Sequence, residues 1–150
     1  MANDTLTYTI HIAASLEQLW AAITSPEVLE KNWGRIRSQW TRGSKVTEVD
    51  DSGKVLWAGD VRRSEPPRLL SYTFDVTGSG EPATEVTFEL SPPVSPIADG
   101  SHVVQLRLTQ AGFAENSEVR AGCARAWPEI LSSVKTYVET GRPLGFAWKH

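Results

Sequence analysis

The sequence has a single cysteine, Cys123, so it contains no internal disulfide. A lone thiol fits a reducing compartment, and the chain is expected to be cytoplasmic. No apolar run reaches the length that spans a membrane. The opening MANDTLTYTIHIAAS has neither a basic n-region nor a continuous apolar segment, so it does not read as a signal peptide. Net charge is also small, at −3, which gives no electrostatic footprint for nucleic acid or an anionic lipid surface. His11, His102 and His150 lie far apart, and no pair of His, Cys or carboxylates has metal-ligand spacing. Gly78-Ser-Gly80 is not followed by a helical pattern, which excludes a phosphate loop, and no Gly-x-Ser-x-Gly elbow occurs. Neither a metal nor a cofactor is therefore expected. What remains is a chain of 150 residues, 40% hydrophobic and 22% charged, long enough for one domain with a sizeable core. Tryptophan is abundant, with six.

Leu6, Tyr8, Ile10 and Ile12 alternate with polar residues, which predicts a half-buried strand. Ser15 to Gln18 has the spacing of a capping box, and Leu16, Leu19, Trp20 and Ile23 follow at helical intervals. Ser25-Pro26 restarts a second short helix that should end near Asn32 to Gly34. From 36 to 110 about six strands are separated by turn chemistry at Arg42-Gly43, Asp50 to Gly53, Pro66-Pro67, Gly78 to Pro82 and Ser91 to Pro96. Short connections without crossover helices mean antiparallel pairing. Asn116 or Ser117 then caps a long helix carrying the apolar stripe Val119, Cys123, Trp127, Ile130, Leu131, Val134 and Val138, with Gly141 and Pro143 as its stop. From 118 to 139 this helix would span about 33 Å. Pro128, inside it, predicts a kink. Phe146 and Trp148 form a short apolar tail within 144–150. The expected architecture is α+β: a curved antiparallel sheet of about seven strands, with the long helix as the only element large enough to cover its apolar face.

Four stretches of this chain carry a family resemblance: Thr9 to Ile23 with Trp20, Arg37 to Ser44 with Trp40 and Gly43, Gly59 to Phe74 with Pro66-Pro67, and Gly122 to Leu144 with Trp127-Pro128 and Gly141-Arg-Pro143. Together they resemble the START-like, helix-grip (SRPBCC) superfamily, and within it the activator of heat-shock-protein-90 ATPase homologue family in its small bacterial single-domain form. The resemblance covers nearly the whole chain and implies one domain over 1–150. It also implies a scaffold shared by lipid carriers, aromatic cyclases and chaperone cofactors, on which function follows from the site.

Candidate site residues come from the inward phases of strands and helix. Tyr72, Phe74, Phe88 and Leu108 face the expected core, Trp40 and Trp57 lie on strands that could close the same volume, and Val119, Cys123 and Trp127 descend from the helix. Gln110, in phase with Leu106 and Leu108, places a polar amide inside, where it needs backbone, water or a ligand. The resemblance implies His at this place in many relatives. These residues predict a cavity between sheet and helix, of about 300–1,000 Å³, that binds a small hydrophobic or aromatic molecule without catalysis. Gln110 and Tyr72 would orient the ligand. Cys123 is expected to be a buried, inert thiol. Two alternatives stand beside this reading. One is a cyclase or dehydratase using the same cavity, and the other is a protein-interaction module working through an edge strand, the Pro-rich loop 91–96 or the tail. The chain is expected to be a monomer or homodimer.

Overall fold

The computed structural model describes residues 4–146. Strand β1 (Thr5–Ile12) is followed by helices α1 (Leu16–Thr24) and α2 (Pro26–Asn32). Six strands come next: β2 (Arg35–Ser38), β3 (Lys45–Val49), β4 (Val55–Glu65), β5 (Leu69–Val76), β6 (Thr84–Ser91) and β7 (Val104–Ala111). Helix α3 (Glu118–Thr140) completes the order. The strands form one curved antiparallel sheet in the order β1-β7-β6-β5-β4-β3-β2. This is the helix-grip arrangement expected from the sequence. Trp148 and the rest of 147–150 lie outside the described residues.

Local chemistry explains most boundaries. Ser15 and Gln18 form the reciprocal capping box that opens α1, with Gln18 N donating to Ser15 Oγ at 3.1 Å and Ser15 N to Gln18 Oε1 at 2.9 Å. At α2 the expectation of a serine cap needs correction. Ser25 occupies the cap position, but its hydroxyl donates to Glu27 at 2.9 Å instead, leaving Pro26 to set the helix start. Ser117 caps α3 by accepting from Arg120 N at 2.9 Å, and the helix runs continuously through Pro128. It stops at Gly141, whose φ of +84° is the left-handed conformation that lets the chain turn away.

Side-chain phase decides what faces α3. One inward row crosses five strands in register: Leu6, Gln110, Val86, Tyr72 and Val61. The next row carries Tyr8, Leu108, Phe88, Leu70 and Ser64. From the helix, Trp127, Ile130, Leu131 and Val134 are buried against this face. Helix α3 also secures the edge strand β1. Lys135 Nζ donates to His11 O at 2.8 Å, Arg120 Nη2 donates to Thr5 O at 3.3 Å, and Glu139 Oε2 accepts from Ala13 N just beyond the strand at 2.8 Å. Edge groups that would otherwise template another strand are thus partly covered.

Candidate functional site

The space between sheet and helix divides into two regions. The deeper is a circuit of five aromatic rings. Trp33 stacks on Trp57 at 5.9 Å between centroids, and Trp57 on Tyr72 at 5.7 Å. Tyr72 meets Phe88 at 6.3 Å, Phe88 meets Trp127 edge-on at 6.1 Å, and Trp127 returns to Trp33 at 5.0 Å. Phe74 joins through Trp57 at 4.6 Å and Trp40 through Tyr72 at 5.9 Å. Edge-on and tilted contacts of this kind add to the burial energy of each ring. The void bordered by Trp33, Phe88, Leu106 and Trp127 is only about 10 Å³, the lower limit for one water.

Polar groups inside this region are mostly satisfied by the fold. Trp127 Nε1 donates to Gln110 Oε1 at 2.8 Å, and Gln110 Nε2 donates to Thr84 Oγ1 at 2.9 Å. The partners of Gln110 are therefore side chains, where backbone, water or ligand was expected. Glu48 is buried and accepts from Trp57 Nε1 at 2.7 Å. The Tyr72 hydroxyl is the exception, buried with no hydrogen-bond partner. Burial first, and then the charge of Glu48, hold its pKa well above the ordinary phenol value, so it stays protonated.

The second region is an open cleft of about 530 Å³. Phe74 and Val76 from the end of β5, Ser79 and Glu81 from the β5–β6 loop, and Glu118, Val119, Gly122 and Cys123 from α3 line it. Glu81 fixes the mouth. Its carboxylate accepts from the Ser117 hydroxyl, from Glu118 N at 3.0 Å and from Val119 N at 3.3 Å, at the positive end of the helix. The Ser117 bond above all, then these backbone bonds, lowers its pKa. The cleft therefore has apolar walls and an acidic rim.

The sequence-predicted residues separate between these regions. Phe74, Val119 and Cys123 line the cleft. Trp57, Tyr72, Phe88 and Trp127 belong to the ring circuit, with Gln110 bonded to Trp127 and Leu108 paired with Phe88. Trp40, expected on a strand, covers Tyr72 from the β2–β3 loop instead, where its left-handed backbone takes it out of the sheet. The predicted internal volume is thus displaced: around Phe88 and Trp127 side chains fill it, and the open volume lies at the first turns of α3. Residue patterns missed Trp33, which follows the end of α2 where no periodicity assigns a face. They missed Glu48 too, although its alternation with the buried Val46 along β3 is a signal that could have found it.

Cys123 is half-buried rather than fully buried, because it stands where α3 parts from β5. Burial pushes its pKa up to about 11, partly offset by a hydrogen bond with Gln110. At pH 7 only about one thiol in ten thousand is then ionised. Alkylation with iodoacetamide is expected to run more than about a hundredfold slower than on a free cysteine. Its rate should climb about tenfold per pH unit through pH 9. A rate that levels off below pH 9 in the folded protein would contradict this.

Among the described residues, no helix is long and apolar enough to cross a membrane, and no group of three or more His, Cys, Asp or Glu could hold a metal ion. A family model described as activator of Hsp90 ATPase homolog 1-like protein matches residues 13–139. No curated protein matches the chain. Several solved structures do. Protein MLL2253 from Mesorhizobium loti is 24% identical with a TM-score of 0.75, covering 88% of this chain and 94% of that one. The Aha1 dimer from Colwellia psychrerythraea is 22% identical with a TM-score of 0.71, covering 91% and 97%. DynU16, from the dynemicin biosynthetic locus, is 19% identical with a TM-score of 0.79; the match covers 97% of this chain but 51% of DynU16. At these identities the likeness establishes the fold.

Proposed function

The chain belongs to the activator of Hsp90 ATPase homolog 1-like family, and from that premise we propose that it binds a small, uncharged apolar or aromatic molecule without transforming it. The observation that carries this reading is the cleft of about 530 Å³ between β5 and α3, whose walls are Phe74, Val76, Val119 and Cys123. Its volume falls within the range of small-molecule sites. The acidic rim of Glu81 and Glu118 disfavours anionic ligands such as fatty acids. Catalysis has little to draw on. Glu81 is engaged in capping α3, and the Cys123 thiol and the Tyr72 phenol both remain protonated at neutral pH. The dimeric state of the Colwellia psychrerythraea protein supports a homodimer as the alternative to a monomer.

Gly122 provides a test that separates binding from folding. A Cβ built there meets nothing within 4 Å, and the residue faces the cleft. Gly122→Leu should improve helix propensity by about 0.5–1 kcal/mol while filling the site. N-phenyl-1-naphthylamine, a neutral fluorescent probe, is expected to bind the native protein saturably. It should lose at least about tenfold in affinity to the variant, whose melting temperature is unchanged or higher. Equal binding by both proteins, or none by either, would remove the cleft as the site.

A further inference from the structure

Two anomalies in the aromatic interior point to one place. The first is Tyr72, 1% exposed, with a hydroxyl that nothing in the fold satisfies. Buried polar groups almost always find a partner, and one that lacks it forfeits its hydration without return. The second is Trp40. Its φ is +57°, a left-handed backbone that bulky side chains rarely adopt. The other non-glycine residue at positive φ among those described is Asn116, a type that tolerates it.

Serine hydroxyls hold the Trp40 backbone in this conformation. Ser38 Oγ accepts from Trp40 N at 3.0 Å, Ser64 Oγ donates to Trp40 O at 2.6 Å, and Ser38 and Ser44 share a further hydrogen bond at 3.3 Å. The turn aims a half-buried indole at the Tyr72 ring, tilted by 58° with centroids 5.9 Å apart. The indole covers the phenol yet leaves its O–H unpaired. Strain that persists because its surroundings enforce it is a sign of function.

We propose that Trp40 is a built-in plug. It occupies, against Tyr72, the place that a flat two-ring aromatic molecule with an uncharged hydrogen-bond acceptor takes when bound, and the Tyr72 hydroxyl donates to that acceptor. This rests on the reading that the sheet–helix interior takes a ligand, and it adds a mouth at the β2–β3 loop, apart from the Phe74–Cys123 cleft. Trp57 stacks on the Tyr72 ring, and its indole N–H is already taken by Glu48, which leaves the Tyr72 hydroxyl as the donor for a ligand there.

Quinoline and naphthalene test this, because they share one shape and differ by a ring nitrogen that accepts a hydrogen bond. Dissociation constants for both are measured by calorimetry on the native protein, Trp40→Gly, Tyr72→Phe and the double variant. Glycine suits the left-handed position, so Trp40→Gly keeps the turn while removing the plug. Trp40→Gly should bind quinoline about tenfold more tightly than the native protein, since no ligand-free closed state competes. Tyr72→Phe should lower the preference for quinoline over naphthalene about three- to tenfold in either background. If Trp40→Gly does not fold, the loss of preference in Tyr72→Phe alone decides the case. A plug-free variant no tighter than native, or a preference untouched by Tyr72→Phe, overturns the proposal. If Gly122→Leu meanwhile abolishes probe binding, the cleft reading survives that result. No binding of any probe to any variant overturns both.

Discussion

Trp127→Ala is expected to destabilise the protein by about 3–5 kcal/mol, the cost of truncating a large ring in a core that cannot collapse. Trp127 is 2% exposed, packs edge-on against Trp33 and Phe88, and donates to Gln110. The adjoining void of about 10 Å³ leaves no slack for neighbours to have relaxed into already. The substitution removes the ring and strands Gln110 Oε1 at once. Trp127→Phe separates the two effects. It keeps most of the apolar contact and leaves the Gln110 oxygen unpaired, a loss of roughly 1–3 kcal/mol. Urea unfolding measures both through the midpoint, with the slope unchanged. A loss below about 1 kcal/mol for Trp127→Ala would mean that the ring borders open space, contrary to the filled interior.

Gly59→Ala should also cost about 3 kcal/mol or more, at or beyond the upper end of ordinary overpacking. A Cβ on Gly59 would lie 1.7 Å from the Thr73 carbonyl oxygen and 2.5 Å from its carbon. Those are backbone atoms of β5, so no rotamer change relieves the clash. Strand β5 would have to move away, straining the bond from Asp60 N to Thr73 Oγ1 at 2.9 Å and the strand pairing beside it. Lower soluble yield and a lower unfolding midpoint are the expected readouts; a native midpoint would show that β4 and β5 do not approach so closely. The same change is favourable at Gly122, on an open helix face. Glycine content alone therefore says nothing about which positions are required.

The element order was legible because its signals are local. The capping box at Ser15, the left-handed stop at Gly141, the alternation of Leu106, Leu108 and Gln110, and the stripe through Trp127 each depend on residues a few positions apart. Phase along a strand is set by a period of two, so Tyr72, Phe88 and Gln110 could be placed on the inward face without knowing what they meet. The partners were not legible. Trp127 and Gln110 are 17 residues apart, Gln110 and Thr84 are 26 apart, and Ser64 reaches Trp40 across 24. These pairings follow from strand register and helix placement, to which a single sequence has no access.

By itself, the sequence determined an α+β fold with its strands and long helix, and which face of each strand turns inward, because those follow from periodicity and short-range hydrogen bonding. Only the tertiary structure decided that aromatic rings fill the space beneath Trp127, that the open volume lies instead beside Cys123, and that Trp40 closes over an unpaired hydroxyl. The reason is physical. Whether inward-facing side chains meet or leave a gap depends on the distance between sheet and helix, and the whole chain sets that distance together.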